Sequence, residues 1–172
     1  MLRWSKDPLK GRKRFQAINT MMLIIERDQK ELLVCDGAGV DVLYIDWYEV
    51  NKTLLTRQTE GGRLVRIHRR VAPALERGVV IYATPEWSIQ IEIRPCPVIV
   101  LQTDDLNTIG HFCFDVGNRH LPLFWFEDGL ALAYDGQLYP ALKGQYGDQV
   151  ILDTRTLSPA FALQAYGQTG DR

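Results

Sequence analysis

Residues 110–124 read GHFCFDVGNRHLPLF. The stretch holds two of the chain's three histidines, His111 and His120, and one of its three cysteines, beside an Asn and an Arg in an otherwise apolar run. Taken alone it reads as a metal site, a nucleic-acid-reading strand or the end of a core helix, and the flanking sequence separates these. Upstream, VIVLQT (98–103) is a buried-strand run, and Thr103, Asp104 and Asp105 offer a helix N-cap with acids beside the positive end of the dipole. Leu106, Ile109, Phe112, Cys113 and Val116 recur at helical spacing, and Gly117 stands where a C′ glycine stops a helix. Downstream, HLPLFWFE (120–127) and LALAYD (130–135) read as strands joined at Asp128-Gly129, a strong hairpin signal. Leu138, Leu142 and Tyr146 form a second helical face ending at Gly147, and QVILDT (149–154) reads as a last strand. The order strand, helix, strand, strand, helix, strand predicts a ferredoxin-like βαββαβ domain over residues 97–156.

Residues 21–96 carry a different signal. MMLIIER, ELLVCD, VDVLYIDWYE, RLVRIHRR, VVIYAT and WSIQIEIR are short, rich in β-branched and aromatic residues, and often alternating. DGAG, TEGG and ATPE punctuate them. Six such strands predict a β-rich N-terminal domain, a small sandwich or barrel. Pro95 and Pro97 bracket Cys96 and suit a stiff connection between the two domains. The fold class expected is therefore α+β, with a β-rich first domain and a ferredoxin-like second one.

The ends differ from this body. Six of the first fourteen residues are Lys or Arg, and no period organises the apolar ones, so residues 1–20 read as a mobile basic leader. A basic arm for an acidic partner, or a true translation start at Met21 or Met22, are the other readings. Residues 157–172 form a weakly patterned tail.

Composition excludes several classes. A net charge of -1 over 172 residues gives no general attraction to nucleic acid or to an anionic membrane. No apolar run approaches the roughly 20 residues of a membrane span, and no secretory signal follows the basic start. Cys35, Cys96 and Cys113 are odd in number and far apart, with no CxxC pair, which points to buried thiols in a reducing compartment and a cytoplasmic protein. There is no GxSxG, P-loop, GxGxxG or HExxH, so no enzyme activity is expected.

The histidines carry what chemistry there is. His68, in RIHRR, has no neighbouring Cys or carboxylate and reads as structural. His111 and Cys113 lie two apart on the expected helix and point different ways, so they make no two-ligand clamp. His120 follows the helix-ending glycine and opens a strand, and there it is either structural or a metal ligand. Imidazole suits Ni, Cu and Zn, but one imidazole cannot fill a coordination sphere, whereas a twofold axis supplies a second copy. An RNA-binding reading of GHFCFDV is a weaker alternative, with three facts against it: the aromatic signature belongs on the third strand, an extra residue separates Gly110 from Phe112, and the basic stripe is missing.

GNRHLPL (117–123), between a helix and a strand with a DG hairpin, resembles the signature of the urease accessory protein UreE family of nickel metallochaperones. DVLYIDWYEVNKTLLTRQTEGGRLVRI (41–67) and LERGVVIY (75–82) are similar to its N-terminal domain, although Val79 replaces a common acidic residue. The resemblance spans roughly residues 22–155. It implies a homodimer formed through the C-terminal domains, with His120 meeting its symmetry mate around one nickel ion, zinc being possible in its place. Gly117 and Asn118 then shape the turn, and Arg119, always protonated, is no ligand. The implied partners are the urease accessory GTPase and the apo-urease assembly complex, with no nucleic acid and no membrane. Two departures thin the site: the chain ends FALQAYGQTGDR without the family's histidine-rich tail, and LAYDGQLY (132–139) lacks its extra histidines. What remains implied is a sparse site open to water or partner-supplied ligands. The rival reading is a protein-interaction module without metal.

Overall fold

The computed structural model describes residues 22–26, 39–69 and 73–163. Among them, six strands precede residue 95: β1 (Leu23–Glu26), β2 (Gly39–Ile45), β3 (Leu54–Gln58), β4 (Leu64–His68), β5 (Val80–Ala83) and β6 (Trp87–Ile93). They form two three-stranded sheets, ordered β1-β4-β3 and β2-β6-β5, which do not close into a barrel. Alternation decides the inner faces: Leu43 and Ile45 of β2, Val65 and Ile67 of β4, and Ile89, Ile91 and Ile93 of β6 are all buried in one core shared by both sheets. β1 pairs with β4, and β2 with β6, in parallel. Those pairings need crossovers, which a reading of successive short strands does not foresee. β3 escaped the strand pattern because Leu55 is its sole buried residue. ELLVCD, with Cys35, and the basic leader lie outside the described residues.

Two buried charges hold the turns of this half. Glu49, fully buried, closes a 3₁₀ turn (Trp47–Glu49) by accepting from the Asp46 backbone N–H, Lys52 and Arg57. Asp41 accepts from Thr59 Oγ1 (2.7 Å), Gly61 N–H (2.8 Å) and Arg63 (2.5 Å). Burial pushes the Asp41 carboxyl up, but these hydrogen bonds outweigh it and hold the group below the usual carboxylate range.

The chain passes through Arg94 and Pro95 into β7 (Cys96–Leu101), then α1 (Leu106–Gly117), β8 (Phe124–Phe126), β9 (Gly129–Ala133), α2 (Leu138–Tyr146) and β10 (Val150–Arg155). Pro97 lies inside β7. The four strands pair antiparallel in the order β10-β7-β9-β8. One face of this sheet, with Ile99, Leu101, Leu130 and Leu132, packs on Phe112 and Val116 of α1 and Leu138 and Leu142 of α2. The other face, with Val98, Val100, Phe124 and Ala131, is covered by Leu157 and by Trp47, whose ring meets Phe124 edge-on at 5.9 Å. Cover on both faces explains why β7 reads as an unbroken apolar run.

The hairpin differs from the expected one. Phe126 pairs with Gly129, so Glu127-Asp128 form the loop and Gly129 opens the strand. Gly129 has φ +144°, and a Cβ there would collide with the Leu101 carbonyl oxygen. The segment read as a weakly patterned tail is packed as far as described: Leu157 is buried, and a 3₁₀ turn (Pro159–Phe161) brings the chain back to β8. There Ala162 bridges Phe124, Leu163 N–H donates to the Leu123 carbonyl at 2.8 Å, and the Phe161 ring lies 5.2 Å from that of Phe126.

Candidate metal centre

α1 starts as expected. Asp105 is the N-cap and accepts from Thr108 N–H (3.0 Å) and Thr108 Oγ1 (2.6 Å), bonds that hold its carboxyl below the usual range. Its end is not where Gly117 placed it. Gly117 is the last helical residue, and the left-handed position falls three residues later, on His120 (φ +56°). His120 N–H donates to the Gly117 carbonyl (2.9 Å) and Leu121 N–H to the Val116 carbonyl (3.5 Å). These two bonds make a Schellman-type cap with His120 at C′, and Leu121 folds back onto the core that holds Val116, its usual hydrophobic partner. Pro122 follows, where it prevents the helix from continuing.

His120 therefore closes a helix rather than opening a strand; β8 begins four residues later, at Phe124. Among the described residues it is the one non-glycine with positive φ. The conformation costs about 1–2 kcal/mol for a residue with a Cβ. In exchange, the chain turns sharply at that Cα and the imidazole stands exposed. Strain of this kind at a candidate ligand is the signal on which a functional hypothesis is properly built.

The other candidates fall away from it. His68 is exposed on β4 and His111 is exposed on α1. Cys113 packs against the core under α1 and Cys96 against the core on the other side of the sheet; burial pushes both thiols up, as suits inert side chains. Among the described residues, no group of three or more His, Cys, Asp or Glu side chains is placed to hold a metal ion. No described helix is long and apolar enough to cross a membrane.

Three further residues of α1 stand out, and the first, Leu106, corrects the core stripe that spacing predicts, since it sits at the helix start and faces solvent. Leu106 (81% exposed) and Phe114 (67% exposed) flank Gly110 on the open side of α1, and nothing lies within 4 Å of a Cβ built on Gly110 or Gly117. Helical spacing of 106, 110, 114 and 117 puts these four on one face, a stripe visible only once the core stripe is fixed. The third is Asp115, in the last turn of α1, where the helix dipole disfavours a carboxylate. Its Oδ2 accepts from Tyr146 Oη (2.6 Å) and Gln145 Nε2 (2.9 Å) of α2. The Tyr146 bond leads in holding the Asp115 carboxyl low, while burial, then this bond, push the Tyr146 hydroxyl up. Beside them a cleft of about 380 Å³, lined by Asp115, Asn118, Arg119 and Gln145 over Leu138 and Leu142, separates the end of α1 from α2.

Comparison with known proteins is consistent in one direction. No family model matches the chain. The urease accessory protein UreE of Acetivibrio thermocellus is 36% identical over 103 residues, covering 60% of this chain and 67% of that protein. The protein of the same name from Haemophilus influenzae is 30% identical over 133 residues, 73% of this chain and 72% of the relative. That of Flavobacterium johnsoniae is 32% identical over 105 residues, and there the match spans just 64% of the relative's length. With the helix–GNRH–strand element in place, the chain belongs to the urease accessory protein UreE family.

Proposed function

We propose that the protein is a cytoplasmic nickel carrier that delivers the ion during assembly of the urease active site. His120 from each of two subunits supplies the protein ligands, and water or a receiving partner completes the sphere. Zinc is the alternative cargo, because neutral imidazole serves both ions. The observation that carries this reading is the placing of His120: an exposed imidazole on a strained cap at the end of α1, the helix whose open side carries the exposed Leu106 and Phe114. A second copy laid on that face covers the apolar groups and brings two such histidines to one axis. In this reading residues 21–96 form a docking domain and residues 97–156 a ferredoxin-like metal-binding and dimerisation domain.

The protein's task is transfer without bond-making chemistry. A site of few ligands holds its ion weakly enough to release it, and the accessory GTPase with apo-urease is the proposed recipient. Titration calorimetry with nickel on the native protein and on His120→Ala tests this: loss of binding is expected, and unchanged affinity and stoichiometry would sink it.

The rival reading is a protein-interaction module without metal. Association with the GTPase that ignores both nickel and chelator would select it.

A further inference from the structure

We infer that Asp115 and Tyr146 are positioning residues that set where the metal at His120 is held, an inference that rests on the nickel-carrier reading. Tyr146 is the last residue of α2 and touches α1 at two points one turn apart. Its ring meets Phe112 edge-on, with centroids 5.4 Å apart and planes at 71°, and its hydroxyl donates to Asp115 at 2.6 Å. The ring contact fixes the depth of α1 and the hydroxyl fixes its rotation. Gln145 adds a second donor to the same carboxylate oxygen.

The acid is not there for the helix. In the last turn it opposes the dipole, where a cation would be favoured, and α1 has no basic residue in that turn. A short hydrogen bond to an ionised acceptor offsets that disadvantage. Nor is ordinary packing available as a substitute, since the 380 Å³ cleft lies along this side of the helix end. The polar pair spans what side chains do not fill.

The consequence reaches His120 through two bonds. The carbonyls that form the cap belong to Val116 and Gly117, the residues directly after Asp115. Any twist of the last turn of α1 carries both carbonyls with it, and with them the left-handed residue they hold. In a site shared between two subunits the displacement is doubled, because each histidine moves against its mate. Groups that orient a ligand without touching the metal commonly alter affinity by tenfold or more.

The test is a double-mutant cycle in nickel affinity on the full-length dimer, with Asp115→Asn, Tyr146→Phe, the double variant and His120→Ala. Ile91→Val, buried in the other half of the chain, serves as a stability control. The expected result is a loss of about tenfold in affinity for each single variant, at the low end for orienting groups. Stoichiometry is kept, the double variant is no worse than the poorer single, and Ile91→Val is unaffected. The cobalt(II) absorption bands of the loaded protein should shift in both single variants and not in Ile91→Val. If both bind like the native protein while His120→Ala does not, the inference is wrong and the nickel reading stands. If Asp115→Asn abolishes binding while Tyr146→Phe is silent, Asp115 is a ligand and the positioning role is refuted. If His120→Ala binds normally, the nickel reading fails and takes this inference with it.

Discussion

His120 donates its backbone N–H to the Gly117 carbonyl at 2.9 Å while its own φ stands at +56°. A glycine would occupy this position without penalty, and a histidine stands in its place. Under the nickel-carrier proposal, stability and cargo binding therefore make opposite demands on one residue. His120→Gly should raise the stability of the metal-free protein by roughly 0.5–1 kcal/mol, strain relief less glycine's larger unfolded-state entropy. His120→Ala should not, because alanine keeps the Cβ. Urea denaturation with chelator present measures the difference, and nickel titration should show both variants equally unable to bind.

The face of α1 that carries Leu106 and Phe114 gives a second expectation. Phe114→Glu places charge on a side chain that is 67% exposed, so monomer stability should stay within about 0.5 kcal/mol. Sedimentation velocity should nevertheless report a shift from dimer to monomer, with nickel retention lost in parallel. A variant that remains dimeric would move the subunit interface elsewhere.

Asp128 and Arg155 give a pH signature. Arg155, itself mostly buried, bonds both oxygens of Asp128, and this holds the Asp128 carboxyl down to about 2. Its unfolded-state value is about 3.9. A lowered folded value means that the contribution is complete above about pH 4 and is lost as pH falls toward about 2. Melting temperatures at pH 7 and pH 3 should diverge less in Asp128→Asn than in the native protein. An equal or larger divergence would remove this pair from the acid response.

Gly129 is fixed by contact with the neighbouring backbone. Gly129→Ala sets a Cβ against the Leu101 carbonyl oxygen at φ +144°, and neither strand can retreat without breaking the β7–β9 ladder. A cost of about 3 kcal/mol is expected, the upper end for a strained backbone position. Denaturant midpoints of the two proteins decide the point.

Much of the second half of the chain is legible from residues alone. The core stripe of α1 from Ile109 to Val116, the Asp105 cap, the helix ending at Tyr146 and the last strand all follow from spacing, whereas Leu106, first in the expected stripe, is exposed at the helix start. The end of α1 was misplaced for a definite reason. Gly117 is the habitual left-handed residue, and no local rule anticipates a histidine taking that conformation three residues on. The hairpin shifted by one because Asp-Gly signals a turn, whereas here the glycine answers a close approach from β7. In the first half the strands were visible but their partners were not, as parallel pairing depends on long-range crossovers. At the candidate site, the GNRH motif that carries His120 was legible; the Asp115–Tyr146 bond, across 31 positions, was not.

The return of residues 161–163 to the edge of β8 has a practical side. Leu163 N–H donates to the Leu123 carbonyl, three residues beyond His120, so the last described residues are held to the loop that follows the candidate ligand. Under the nickel-carrier proposal, a polyhistidine purification tag fused to this protein would add imidazoles at high effective concentration to the few of its own. It would mimic a metal store and mask the sparse site proposed at His120, so titrations belong on protein freed of its tag.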